Sequence, residues 1–154
     1  MNIIPDIATI IEKRSLDRNH SLFRIVFDNE KKRDSFGFRP GQFIMLSIFG
    51  VGEAPISITS SPDEKGFMDL CVRKAGRVTT VLHGLGENSK IGIRGPFGNG
   101  YPVENMEGSN LLIVGGGLGI APLRSLFRYV LWNRDRFREV SIAYGSKDVE
   151  SILF

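Results

Sequence analysis

The stretch LLIVGGGLGIAPLRSL, residues 111–126, decides how the rest of the chain is read. Leu111 to Val114 predict a short strand buried on both faces. Gly115, Gly116, Gly117 and Gly119 then predict a tight turn, and Pro122 suits the first turn of a following helix, where a missing N–H costs nothing. Strand, glycine turn and helix is the geometry that brings backbone N–H groups and a helix N-terminus up to a nucleotide phosphate. Glycine serves wherever a side chain would block that approach.

The helix is predicted over 123–132, because Leu123, Leu126, Phe127, Val130 and Leu131 fall on one stripe. Arg124 and Arg128 lie off that stripe. With Arg134, Arg136 and Arg138 they read as a solvated basic face or, more sharply, as a docking patch for an acidic partner. A strand over 139–144 completes a β-α-β unit, which needs further strands to cover its core. The apolar residues within 151–154 are expected to open the next helix.

Upstream, six β-prone runs at 7–13, 21–28, 42–49, 54–59, 68–74 and 90–94 are separated by Gly/Pro turns. A polar turn is expected at 29–35, a short helix at 79–85 and a linker at 99–110. Short, evenly spaced strands of this kind favour a closed antiparallel barrel over an open sheet.

Composition narrows the functions available. The 154 residues are 42% hydrophobic and 24% charged, with a net charge of +3, which fits one or two ordinary globular domains. The basic residues are scattered, which speaks against a nucleic-acid platform. A single cysteine, Cys71, rules out an internal disulfide, and two histidines, His20 and His83, offer few metal ligands. No membrane-spanning run or secretory signal pattern is visible, so cytoplasm is the default expectation.

Five segments in this order and spacing resemble the ferredoxin–NADP reductase superfamily: Pro40-Gly41-Gln42-Phe43, 52–58 (GEAPISI), 72–79 (VRKAGRVT), Gly95-Pro96-Phe97-Gly98 and 115–122. Within it the likeness is to electron-transfer subunits: the gamma subunit of sulfur-reducing hydrogenases and the electron-transfer subunits of anaerobic sulfite reductase and of dihydroorotate dehydrogenase. The resemblance implies a six-stranded antiparallel Greek-key β-barrel that binds FAD, over 1–104. The first β-α-β unit of a truncated NAD(P)-binding α/β domain follows over 105–154.

It further implies that Ala54, Pro55, Ile56, Ser57, Cys71, Val72 and Arg73 line the flavin, with Ser57 near N5 as the one catalytic candidate. Gly76, Val78 and Thr79 would hold the FAD diphosphate. Gly116, Gly117, Gly119, Ile120, Ala121 and Pro122, with Tyr144 and Ser146, would take the nicotinamide nucleotide. Ala54 stands where the family carries an Arg, and Ile56 where it carries a Tyr, so Arg73 is expected to supply the charge that Ala54 does not. No protein-held metal is implied in this chain.

The function implied is that of an electron-transfer subunit using NAD(P)H and FAD, handing electrons to iron–sulfur or catalytic subunits of a hydrogenase, sulfite reductase or dehydrogenase complex, or to ferredoxin. A [2Fe–2S] cluster would lie beyond residue 154. A nucleotide domain of this type needs about five parallel strands, so the chain reads as a fragment, inactive alone. Two other readings stand beside it. One is a self-standing flavin reductase acting on ferredoxin or flavodoxin. The other is a non-enzymatic nucleotide- or partner-binding module, since fold does not fix function.

Overall fold

The computed structural model describes residues 4–154. Strands β1 (Asp6–Ser15), β2 (His20–Phe27), β3 (Phe43–Ile48), β4 (Gly52–Ser57), β5 (Met68–Arg73) and β6 (Lys90–Phe97) form one sheet in the order β4-β3-β6-β1-β2-β5. Every pairing in it is antiparallel. Alternate residues of these strands, among them Ile10, Phe23, Ile25, Ile44, Leu46, Leu70 and Ile91, point inward and form a dry core. The six strands match the six β-prone runs, each within a few residues.

Closure is where structure and expectation part. The two edge strands, β4 and β5, form no ladder; they meet only at the isolated bridge between Ile58 and Leu70. The sheet is curled and antiparallel but not a continuous barrel.

Two local readings also change. The polar turn at 29–35 is a helix, α1 (Glu30–Ser35), because the Asn29 side chain accepts from the Lys32 amide at 3.0 Å and caps it. The second helix, α2 (Arg77–Gly84), lies where one was expected. The linker carries one helical turn, α3 (Val103–Met106), whose Val103 is buried.

Beyond it come β7 (Leu111–Gly116), α4 (Ile120–Trp132) and β8 (Val140–Gly145), with β7 and β8 paired in parallel as a β-α-β unit. The strand expected to be buried on both faces is not: Ile113 is 5% exposed under α4, but Leu112 and Val114 on the other face are 70% and 65% exposed. A two-stranded sheet with one helix can cover only one side. The glycine turn starts later than expected, since Gly115 and Gly116 end β7 and Gly117–Gly119 form a 3₁₀ turn. The segment 151–154 opens no helix; a short 3₁₀ turn at Val149–Ser151 precedes it. No helix among the described residues is long and apolar enough to cross a membrane.

The β-α-β unit is held to the sheet by polar contacts along α4. Asp69 on β5 is 1% exposed. Arg24 on β2 donates to it through Nε at 2.8 Å and Nη2 at 3.1 Å, and Arg124 on α4 approaches it at 3.7 Å. Arg124 also donates to the Thr59 carbonyl at 3.2 Å, and Ser125 Oγ to the Ser60 carbonyl at 2.7 Å. Arg128 grips Glu64 with both arms of its guanidinium, and Asn133 Nδ2 donates to Asp63 at 3.0 Å. Arg124 and Arg128 are therefore not a solvated face. They are committed to the loop between β4 and β5, and burial, with Arg128 and Arg14 nearby, holds the Arg124 guanidinium below its ordinary pKa.

Removing the carboxylate at the centre of this network leaves two arginines without their buried partner. Asp69→Ala is expected to lower the unfolding free energy by about 3–5 kcal/mol, read from urea denaturation. Arg128→Met, which leaves the largely buried Glu64 carboxylate without its guanidinium, should cost less, about 1–3 kcal/mol.

Candidate functional site

The bridge between Ile58 and Leu70 marks the last point at which β4 and β5 touch. Just past it, Thr59 stands in for the missing ladder: its Oγ1 accepts from the Cys71 amide at 3.1 Å and donates to the Ser57 carbonyl at 3.4 Å. Beyond that clip the strands separate, and a cleft of about 380 Å³ opens between them. Its walls are Pro55, Ile56 and Ser57 from β4 and Cys71, Val72 and Arg73 from β5. Ala75 and Thr79 close one end, and Leu118, Ala121 and Pro122 from the glycine turn and α4 form the facing side.

The polar end of the cleft is the start of α2. The first amides of a helix have no partner inside it, and they carry the positive end of the helix dipole. Thr79 Oγ1 accepts from the Ala75 and Gly76 amides, both at 3.0 Å, which fixes the entry into the helix. Arg73, also at this end, is exposed and forms no ion pair among the described residues. An anion is favoured here, whereas the rest of the lining is apolar or weakly polar.

Cys71 is 5% exposed, and burial pushes its thiol up to about 12. It is a packed wall residue and not a nucleophile. His83, on α2, donates through Nδ1 to the Thr79 carbonyl at 2.8 Å, while its buried Nε2 has no partner. Burial lowers its pKa from the ordinary value, and the charges of Lys13, Lys74 and His20 add to that.

The sequence-predicted residues divide into three sets. Pro55, Ile56, Ser57, Cys71, Val72, Arg73 and Thr79, with Ala121 and Pro122, line this one cleft. Ala54, Gly76, Val78, Gly116, Gly117, Gly119 and Ile120 do not. Ala54 and Val78 pack against the sheet core, and Ile120 is buried with Leu22 and Cys71. Gly76 is the N-cap of α2. A Cβ on Gly115 would come within 3.0 Å of Leu123 and 3.2 Å of Ile120, so that glycine serves helix–strand packing. Gly117 turns the chain at φ +48°.

Tyr144 and Ser146 lie apart from the cleft. Tyr144 Oη donates to the Gly117 carbonyl at 3.1 Å and lines a separate groove with Phe127 and Arg14. Ser146 Oγ donates to the Asp148 carbonyl at 3.0 Å within its own turn. Three contributors were not predicted: Ala75 and Leu118 in the lining, and Thr59 at the clip. Leu118, between two glycines of the signature turn, is the one whose position in the sequence could have flagged it.

The cleft fits a flavin nucleotide on its own chemistry. A flat apolar slot for a ring system runs into a helix N-terminus and an arginine for a diphosphate. The Cβ of Ala54 leaves no cation on β4, and Arg73 on the opposite wall provides one.

Comparisons with known proteins bear on the family and the fold. The oxidoreductase FAD-binding domain family matches residues 7–101. The chain is 45% identical over 145 residues to sulfhydrogenase 1 subunit gamma of Pyrococcus furiosus, covering 94% of this chain and 50% of that protein. It is 36% identical over 145 residues to the probable dihydroorotate dehydrogenase B (NAD(+)) electron transfer subunit of the same organism, with 94% and 50% covered. The chain thus spans about half the length of the curated relatives it matches. Among solved structures, ferredoxin-NADP+ reductase from Plasmodium falciparum superposes with a TM-score of 0.81 at 18% identity, over 100% of this chain and 65% of that one. The flavohem-like FAD/NAD binding domain of nitric oxide dioxygenase from Vibrio cholerae gives a TM-score of 0.84 at 15% identity, over 98% and 66%.

Two outcomes follow from the titratable groups. At about pH 8 the folded chain should react negligibly with a thiol reagent and take up one equivalent in urea, because Cys71 is reached only on unfolding. His83 binds its proton less readily folded than unfolded, so its stabilising contribution is present above about pH 6.5 and is lost as the pH falls. Urea midpoints should therefore drop between about pH 7 and pH 5, and the drop should be shallower in His83→Gln.

Proposed function

The chain belongs to the oxidoreductase FAD-binding domain family, and on that premise we propose that it is the flavin-bearing part of an electron-transfer subunit working between NAD(P)H and an iron–sulfur partner. The observation that carries this reading is the single cleft in which the ends of β4 and β5, the start of α2 and the glycine turn converge. The names of its relatives, hydrogenase gamma subunits and dihydroorotate dehydrogenase electron-transfer subunits, point to the same role. We further propose a division into a flavin domain over 1–104 and the beginning of a nicotinamide-nucleotide domain over 105–154.

In this reading each wall has its own task. Ile56 and Val72 flank the ring and exclude water from it. Ser57 offers a hydroxyl to the ring edge near N5, where a hydrogen bond would follow a change in protonation. Arg73 and the α2 amides neutralise the diphosphate. Leu118, Ala121 and Pro122 set the distance at which a nicotinamide ring could approach. The cleft would thereby hold a group whose chemistry is two-electron uptake from a hydride donor and release of electrons singly. No acid–base pair of side chains is required, and none lines the cleft. Gly116, Gly117 and Gly119 would face the nicotinamide nucleotide from the turn, with Tyr144 and Ser146 at the end of β8. Candidate partners are the iron–sulfur or catalytic subunits of a hydrogenase or dehydrogenase complex, or ferredoxin.

Incubation with FAD followed by gel filtration tests the premise: flavin absorption should travel with the chain, and a chain that emerges colourless overturns the reading. In a protein carrying the whole nicotinamide-nucleotide domain, Ser57→Ala is expected to keep its FAD while the bound flavin is reduced by NADH or NADPH about tenfold more slowly, measured by loss of flavin absorbance.

A further inference from the structure

Helix α2 is held at its far end by one lysine from β1. Lys13 Nζ donates to the carbonyls of His83 and Leu85, the latter at 3.2 Å. These belong to the last turn and C-cap of α2, where carbonyls have no partner within the helix. An ammonium at that end also faces the negative pole of the helix dipole. The Lys13 Nζ lies 5.8 Å from the centre of the Phe23 ring. The same ring receives the His83 imidazole edge-on, at 5.5 Å and 85°. Leu82, on the same turn, is fully buried in the sheet core.

The two ends of α2 are therefore fixed by different means. Its C-terminal half is bolted to β1 and β2 through Lys13, Phe23 and Leu82. Its first turn borders the cleft, where Val78 packs against the sheet core and Thr79 closes on the Ala75 and Gly76 amides. An eight-residue helix is a rod about 12 Å long, so with Val78 as the apolar seat the polar anchor at the far end sets its tilt.

We propose that Lys13 is a positioning residue for the FAD diphosphate. It touches neither ring nor phosphate, but it fixes the pose in which the first amides of α2 meet the anion. The inference rests on the reading of the cleft as a flavin seat. Without the ammonium, the His83 and Leu85 carbonyls turn to water, the last turn loosens, and the aligned amides at the start of α2 lose their fixed direction.

The test uses Lys13→Met, which keeps an unbranched stem beside Phe23 and removes the charge and the donors. The intact chain is titrated with FAD and with riboflavin, which carries the same ring but no diphosphate. FAD binding should weaken roughly tenfold while riboflavin binding stays the same, and Lys13→Arg should restore the preference for FAD. Thermal unfolding of each variant shows that it is folded. Amide hydrogen exchange gives a second readout: the hydrogen-bonded amides of residues 80–84 should exchange faster in Lys13→Met, with β4 and β5 unchanged.

Equal weakening of both ligands marks a merely structural lysine and overturns the proposal. Unchanged FAD binding, or unchanged exchange at 80–84, overturns it as well. A wild-type chain that takes neither ligand removes the flavin reading itself, an outcome distinct from a wild-type chain that binds FAD with no contribution from Lys13.

Discussion

The architecture turns on one buried carboxylate. Asp69 sits on the edge strand β5, almost without solvent, between a guanidinium from the sheet and a guanidinium from α4. A buried charge is tolerated only when paired and hydrogen-bonded. Here the pairing does more than neutralise it. Arg24 is held further by Glu12 at 3.6 Å and lies 4.0 Å over the Phe67 ring, so one side of the network is rigid. Arg124, on the other side, brings α4 against the loop after β4. The start of α4 is thereby set opposite Ser57 and Cys71, and the cleft acquires its third wall.

The same region explains why the sheet does not close. A continuous ladder between β4 and β5 would zip the edge shut and leave no slot. Instead, Thr59 and Ser60 turn their hydroxyls onto the β5 amides of Cys71 and Asp69, at 3.1 Å each. Their carbonyls are at the same time taken up by α4. Apart from the Thr59 amide, which donates to the Asp69 carbonyl at 2.8 Å, backbone groups at the end of the edge are thus satisfied by side chains and not by a neighbouring strand. The strands can then part within one residue of their last bridge without leaving polar groups stranded. Openness at this edge follows from where the hydrogen bonds go.

Much of this is legible in the sequence. The six β-prone runs, the short helix after the Gly76 turn and the β-α-β unit follow from alternation, stripe and punctuation. The segments 55–57 and 71–73, far apart in the chain, are brought together by the family resemblance and do share the cleft. What cannot be read is pairwise. Nothing in the spelling of α4 tells Arg124 and Arg128, which face the sheet, from Arg134 and Arg138 beyond its end, because all are basic residues off the apolar stripe. The burial of β7 is overestimated for a related reason: four apolar residues in a row look the same whether one face or two are covered. Asn29 is a readable signal, since an Asn ahead of a charged run is a helix cap as well as a turn residue.

The distribution of charge around the cleft links these observations. Ala54 and Ile56 remove a cation and an aromatic ring from β4, so that wall contributes shape alone. Attraction for an anion falls to Arg73 on the opposite strand and to the first turn of α2. A helix terminus carries only about half an elementary charge, and that partial charge acts through directed N–H groups, so its value depends on alignment far more than an arginine's does. A site built this way shifts the burden from one long flexible cation to the rigidity of the scaffold. The contacts that brace α2 against β1 and β2, and α4 against β5, are then as much part of the site as the residues that line it.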